Sequence, residues 1–320
     1  MKGFDKKIII VNSFVNYGGT IALAELCRSL RKLGCDARLL MVPYFPNNIV
    51  DKSGYKRFII KYQLISLYNY LLYKLTGKER IHPFGDRYFF SLVNGCKLQF
   101  HPFFNKKRHV VIYPEVVFGN PLDANHVVRW LLYTTKYKNV PDAYSDTDLF
   151  IAYREIFSDT DLNPHHYIIH QASFNLDIYK QYNYGVRKGN CYIIRKGRNR
   201  PDLPECFDGP IVDILPEKEK VKIFNECNYC YCYDTQTAYT SIAAICGCIP
   251  IVVLEQGMTR KDYRKGQDKP GYGIAYGDSK EELEWAISTR GKLRESLDYS
   301  ESNLQNAERL VALLKERFDL

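Results

Sequence analysis

No stretch of this sequence approaches 18 uninterrupted apolar residues, so no helix is expected to cross a membrane. It also has no low-complexity tract and no short-period repeat, which sets aside fibrous and solenoid architectures. The first residues, Met1-Lys2-Gly3-Phe4-Asp5-Lys6-Lys7, are basic but run straight into Ile8-Ile9-Ile10-Val11, with no small-residue cleavage site. They do not read as a signal peptide, so the chain is expected to be cytoplasmic and its ten cysteines reduced. Recognised RNA- or DNA-binding motifs are missing as well, and a nucleic-acid partner is not expected.

What is present is globular. Of 320 residues, 46% are hydrophobic and 25% charged, enough for two domains. The net charge of +9 is uneven: residues 52–110 hold 12 Lys/Arg against two acids, Glu79 and Asp86, a local +10. Aromatics such as Tyr55, Phe58, Tyr62, Tyr68, Phe103 and Phe104 lie among these cations. Such a field draws polyanions, anionic membrane surfaces or phosphorylated substrates; an ordinary solvated basic face is the plainer alternative.

Apolar runs at 7–11 and 37–42 bracket a helical pattern that ends at Gly34, a βαβ opening. Residues 56–75 carry Ile60, Leu64, Leu67, Tyr68, Leu71, Leu72 and Leu75 at steps of three and four, one face of an amphipathic helix. That helix would cover a sheet or lie on a membrane surface. Strands are expected at 109–113 and 148–153, with a helix at 124–132 between them. The alternation resumes with strands at 190–195, 210–215, 229–233, 249–254 and 273–276, helices at 217–227, 235–246 and 280–289, and a charged terminal helix at 303–318. Two parallel-sheet α/β domains follow, with residues 1–168 and 169–302 as the halves and 303–320 as the last helix.

In open parallel sheets, ligands gather beyond the carboxyl ends of the strands, near helix N-termini. Three positions qualify. The first is Asn16-Tyr17-Gly18-Gly19-Thr20, whose glycines let a ligand approach the backbone; it is neither a Walker loop nor a Gly-x-Gly-x-x-Gly fingerprint. The second is Arg195-Lys196-Gly197-Arg198, cations at a strand end that can clamp a diphosphate. The third is Tyr233-Asp234-Thr235-Gln236-Thr237, where the hydroxyls either cap a helix or hold phosphate. Cys227, Cys230, Cys232, Cys246 and Cys248 raise the question of zinc, but packed thiols explain their spacing better, and no metal is expected.

The Gly-Gly turn after the first strand, together with the Arg-Lys-Gly strand end, the Asp-x-x-Thr helix start and the run at 246–253, resembles GT-B-type glycosyltransferases. The block at 112–122, with Val128-Arg129-Trp130-Leu131, is similar to one in bacterial capsule and O-antigen transferases. The resemblance implies two Rossmann-like domains facing a cleft, the terminal helix crossing back to the first. It implies a nucleotide-sugar donor, a carbohydrate or lipid-linked acceptor, no cofactor and no metal. Arg195 and Lys196 would steady the leaving diphosphate, and Thr235 and Thr237, beside Tyr233 and Asp234, would bind phosphate. Ile214 and Leu215 would border the base, while Gly18, Gly19 and Thr20 would face the sugar-phosphate. The glutamate pair of many retaining members is replaced here by Ser241-Ile242-Ala243-Ala244, which leaves ribose recognition and stereochemistry open. An inverting enzyme needs a base; Glu115 is the candidate, a structural hydrogen bond its alternative. A nucleotide-sugar epimerase of the same fold and a polyanion binder are the other readings. The basic segment 52–110 also makes a peripheral contact with the inner face of the plasma membrane an expectation.

Overall fold

The computed structural model describes residues 6–13, 18–76, 93–174, 176, 178–235, 237–264 and 270–318. Asn16 and Tyr17 of the glycine turn, Gln236, and residues 77–92 of the basic segment lie outside them. The chain divides into two compact units, Met1–Ser173 with Tyr299–Leu320, and Phe174–Asp298.

The first unit opens with β1 (Ile8–Ser13), α1 (Gly18–Lys32) and β2 (Ala37–Val42), with Ile8 beside Ala37 in parallel register. Gly34 stops α1 at φ +83°, where its N–H donates to the Arg31 carbonyl and that of Cys35 to the Leu30 carbonyl. A Cβ would resist that left-handed turn. Then follow α2 (Lys52–Thr76), β3 (Leu98–Gln99), β4 (Val110–Pro114), β5 (His126–Leu131) and β6 (Leu149–Ala152). All pair in parallel, in the order β3-β2-β1-β4-β5-β6. The winding reverses between β1 and β4, the switch point at which doubly wound sheets open a crevice. Both faces are buried, Ile8, Ile10, Leu39, Ile112 and Trp130 on one and Ile9, Val11, Leu40, Val111 and Tyr113 on the other.

The helix expected over 124–132 is instead β5. Between β4 and β6 this strand is covered on both faces, so Val127, Val128, Trp130 and Leu131 are all buried and carry no alternation to distinguish it from a buried helix. Its β-branched Val127 and Val128 favour the extended form. α2 docks on the sheet through Tyr55 and Ile59, while Gln63 Nε2 donates to the Met41 carbonyl at 3.1 Å. The apolar row from Leu64 to Leu75 faces outward.

The second unit contains β7 (Asn190–Ile193), α3 (Glu217–Glu226), β8 (Tyr229–Cys232), α4 (Tyr239–Ile245), β9 (Ile249–Val252), α5 (Arg260–Arg264), β10 (Ala275–Tyr276), α6 (Lys280–Thr289) and α7 (Leu293–Ser296). Its parallel sheet runs β10-β9-β8-β7. The strand expected at 210–215 is reduced to one bridge between Tyr192 and Ile211, because the chain turns there so that Asp213 can serve the neighbouring backbone. Cys191, Cys230, Cys232, Cys246 and Cys248 are buried with Phe224, Ile193 and Val212. Among the described residues no group of three His, Cys, Asp or Glu is arranged to hold a metal ion.

The last helix, α8 (Ser300–Phe318), returns to the first unit as expected. Ala307, Leu310, Val311 and Leu314 pack with Leu23, Leu26 and Leu30 of α1. Asn303 closes the joint: its Nδ2 donates to Glu25 Oε1 and to the Ala172 carbonyl, and its Oδ1 accepts from Ala172 N–H.

Candidate functional site

In the first unit the carboxyl ends of β1 and β4 flank the switch point. Asn12, buried at the end of β1, donates through Nδ2 to the Thr20 carbonyl at 3.0 Å and accepts from Ser13 N–H at 2.9 Å. This fastens the start of α1 to the strand end. Gly18 is exposed, and a Cβ there would meet nothing within 4 Å, so the approach to the helix start is open. Gly19 lies against Leu132 instead, and Thr20 is buried.

Glu115 follows β4 and is buried. Its Oε2 accepts the Leu132 N–H at 3.0 Å, and its carbonyl accepts the Tyr144 hydroxyl at 2.7 Å. The carboxylate therefore spans from the end of β4 to the end of β5. Gly19, Leu132 and Glu115 meet at one edge. His126, at the start of β5, sits at the opposite end of the strand and holds the Lys107 carbonyl.

In the second unit Ile193 and Cys232 are register partners, and the N–H groups of Tyr233 and Asp234 both donate to the Ile193 carbonyl. The two following loops are thus neighbours. Gly197 closes the gap: a Cβ there would stand 2.3 Å from the Tyr233 carbonyl oxygen, so this approach requires glycine. The contact places Gly197, at the end of the 3-10 turn Arg195–Gly197, against the Tyr233 carbonyl. Arg195 and Lys196 are exposed, Asp234 is buried, and Thr235 and Thr237 are half-buried. Thr237 Oγ1 accepts the Tyr239 N–H at 3.2 Å, and its carbonyl accepts the Thr240 hydroxyl. Thr237 thereby satisfies the first N–H of α4 from one residue before the N-cap, Ala238. Ile214 is exposed nearby in chain, whereas Leu215 packs against the core.

Two side chains that the motif reading passed over organise this edge. Asp213 Oδ2 accepts from Ile194 N–H at 2.7 Å and Arg195 N–H at 3.1 Å. Two backbone donors at the end of β7 are thereby taken by the protein's own carboxylate. Arg200 binds the Val253 carbonyl at 2.8 Å and the Leu254 carbonyl at 3.3 Å, reaches Tyr233, and stacks over the Tyr233 ring at 5.3 Å. The Asp202 carboxylate beside it raises its affinity for its proton above the usual arginine level. Its one sequence signal was an acid two residues on; that of Asp213 was a lone acid inside an apolar run.

No family model matches this chain, and no curated protein matches it either. Among solved structures it is similar to the glycosyltransferase SnogD from Streptomyces nogalater, at 12% identity and a TM-score of 0.37, covering 96% of this chain and 99% of that one. It is similar to a glycosyltransferase from Rickettsia africae ESF-5 at 10% identity and a TM-score of 0.38, covering 98% of each. An S. aureus MnaA–UDP co-structure stands at 10% identity and 0.36, covering 98% of this chain and 97% of that one. These likenesses are distant, and the architecture is defined by the strand pairings of this chain itself.

Proposed function

We propose that this protein transfers a glycosyl group from a nucleoside-diphosphate sugar to a carbohydrate acceptor, free or lipid-linked, without a metal. The observation that supports the reading is the close approach of Gly197, in the turn after β7, to the Tyr233 carbonyl after β8, at the carboxyl edge of the second sheet. The ammonium of Lys196 and the guanidinium of Arg195, both exposed, would neutralise a diphosphate by charge-assisted hydrogen bonds. Thr235 adds a hydroxyl, and Ile214 with Leu215 offers apolar surface to a base. In the first unit, Gly18 with the start of α1 and the carboxylate of Glu115 stand at the switch point. For an inverting displacement, the acceptor oxygen would bond to the anomeric carbon as the bond to the diphosphate breaks. Its proton would pass to Glu115 and the electron pair to the leaving phosphate.

A thermal-shift series with UDP, GDP, ADP, CMP and dTDP tests the donor part. One nucleoside diphosphate at about 100 times its Kd is expected to add roughly 2.7 kcal/mol of stability. Arg195→Ala and Lys196→Ala are each expected to remove that shift while leaving the unliganded melting temperature unchanged. No shift with any nucleotide defeats the reading. Product analysis then separates transfer or hydrolysis of the donor from its isomerisation, the outcome an epimerase would give.

A further inference from the structure

α2 carries a second surface, apart from the transferase reading and independent of it. Arg57, Lys61, Leu64, Tyr68, Leu71 and Leu75 recur at steps of four and three, so they form one stripe along the helix. Every one is exposed, with Leu64 at 62%, Tyr68 at 59%, Leu71 at 51% and Leu75 at 82%. Leu67, 51% exposed, widens the stripe. The helix already has its core side elsewhere, since Tyr55 and Ile59 are buried against the first sheet. Its amphipathic pattern therefore belongs to something outside the described fold.

Charge identifies the occupant. From Lys52 to Thr76 the helix holds no Asp or Glu. Its first half presents Lys52, Lys56, Arg57 and Lys61, and Lys52 shares Asp123 with Lys106 of the loop that continues into Lys107 and Arg108. A second copy of the chain would meet this stripe with another acid-free helix and leave Arg57 and Lys61 without a counter-charge. A layer of anionic headgroups above hydrocarbon supplies both what the cations and what the leucines lack. We propose that α2 lies flat on an anionic lipid bilayer, with Leu64, Leu67, Leu71 and Leu75 dipping below the headgroups, Tyr68 at their level, and Arg57 and Lys61 on the phosphates. The stripe runs over 18 helical steps from Arg57 to Leu75, roughly 27 Å at the helical rise.

The test is flotation of the full chain with vesicles of phosphatidylcholine alone and with a third of phosphatidylglycerol. Binding is expected to the anionic vesicles only, weakening at 0.5 M salt. Leu64→Ser and Leu71→Ser should each lower the partition about ten-fold, and Arg57→Gln and Lys61→Gln roughly five-fold each. All four sites are exposed, so an unchanged melting temperature confirms that folding is intact. Three results overturn the proposal: no flotation with anionic vesicles, flotation indifferent to both serine changes, or a dimer seen by light scattering that the serine changes dissociate. Nucleotide-induced thermal shifts do not depend on this surface, so failure here and failure of the donor reading are told apart.

Discussion

Each unit uses one arginine to fasten the chain beyond the carboxyl ends of its strands, and the two differ in what remains for a ligand. Arg129 in the first unit is fully buried: Nε binds Asp148 at 2.7 Å, NH1 binds the Val117 carbonyl at 2.7 Å, and NH2 binds the Gly119 carbonyl. Tyr113 and Tyr144 lie against its plane. Arg200 in the second unit performs the same task with the carbonyls of Val253 and Leu254 under the Tyr233 ring, but its partner Asp202 is 44% exposed. Around Arg129 the first edge is tied by buried partners. The second is tied at its base, and its outer cations, Arg195 and Lys196, face the solvent.

Removing the two arginines tests that contrast directly. Arg129→Met leaves Asp148 buried without its cation and two carbonyls without donors, an expected loss of about 3–5 kcal/mol in urea unfolding. Arg200→Met frees an aspartate that water can reach, and about 1–2 kcal/mol is expected. Equal losses, or the reverse order, would break the comparison.

Glu115 sharpens it next. As a clasp alone, the side chain only has to accept the Leu132 N–H, which a glutamine carbonyl also does. Glu115→Gln is therefore expected to leave the melting temperature within about a degree and, if the carboxylate takes the acceptor's proton, to lower kcat about 100-fold or more. An unchanged kcat would assign Glu115 to holding β4 against β5 and leave the first edge purely structural.

Much of this was legible in the sequence where one element's own residues settle its state. β1, α1 and β2 are bounded by an apolar run and Gly34, and α8 by its long period. Pairing across distance was not legible. Arg129 interrupts an apolar run as an exposed residue would, and only Asp148, 19 positions away, permits its burial. In α2 the period located the stripe but not which side the sheet would take, because Tyr55 and Ile59 compete with seven apolar residues and win by position. At the candidate site the motif residues Arg195, Lys196 and Thr235 were visible. Asp213 and Arg200, which fasten this edge, carry no motif.

The smallest expected effect concerns how firmly each sheet is held. The second sheet has four strands and a core of small thiols, the first six strands and a core of isoleucine, leucine and valine. Less apolar area per strand means a smaller free energy between closed and locally open forms. The cysteines report it. Cys206 is the exposed thiol of the ten, whereas burial pushes Cys246 up to about 12 and Cys232 well above its ordinary value. A thiol reagent must reach the sulfur, so at neutral pH it should modify the exposed Cys206 first, by roughly three orders of magnitude over the buried set. Cys206→Ser should delete that fast phase. In urea well below the unfolding midpoint, Cys191, Cys230, Cys232, Cys246 and Cys248 should then react while Cys27 and Cys35 of the first unit stay protected. Simultaneous labelling of both groups would mean that the two sheets open as one, and the smaller thiol-lined core would no longer distinguish the second unit from the first.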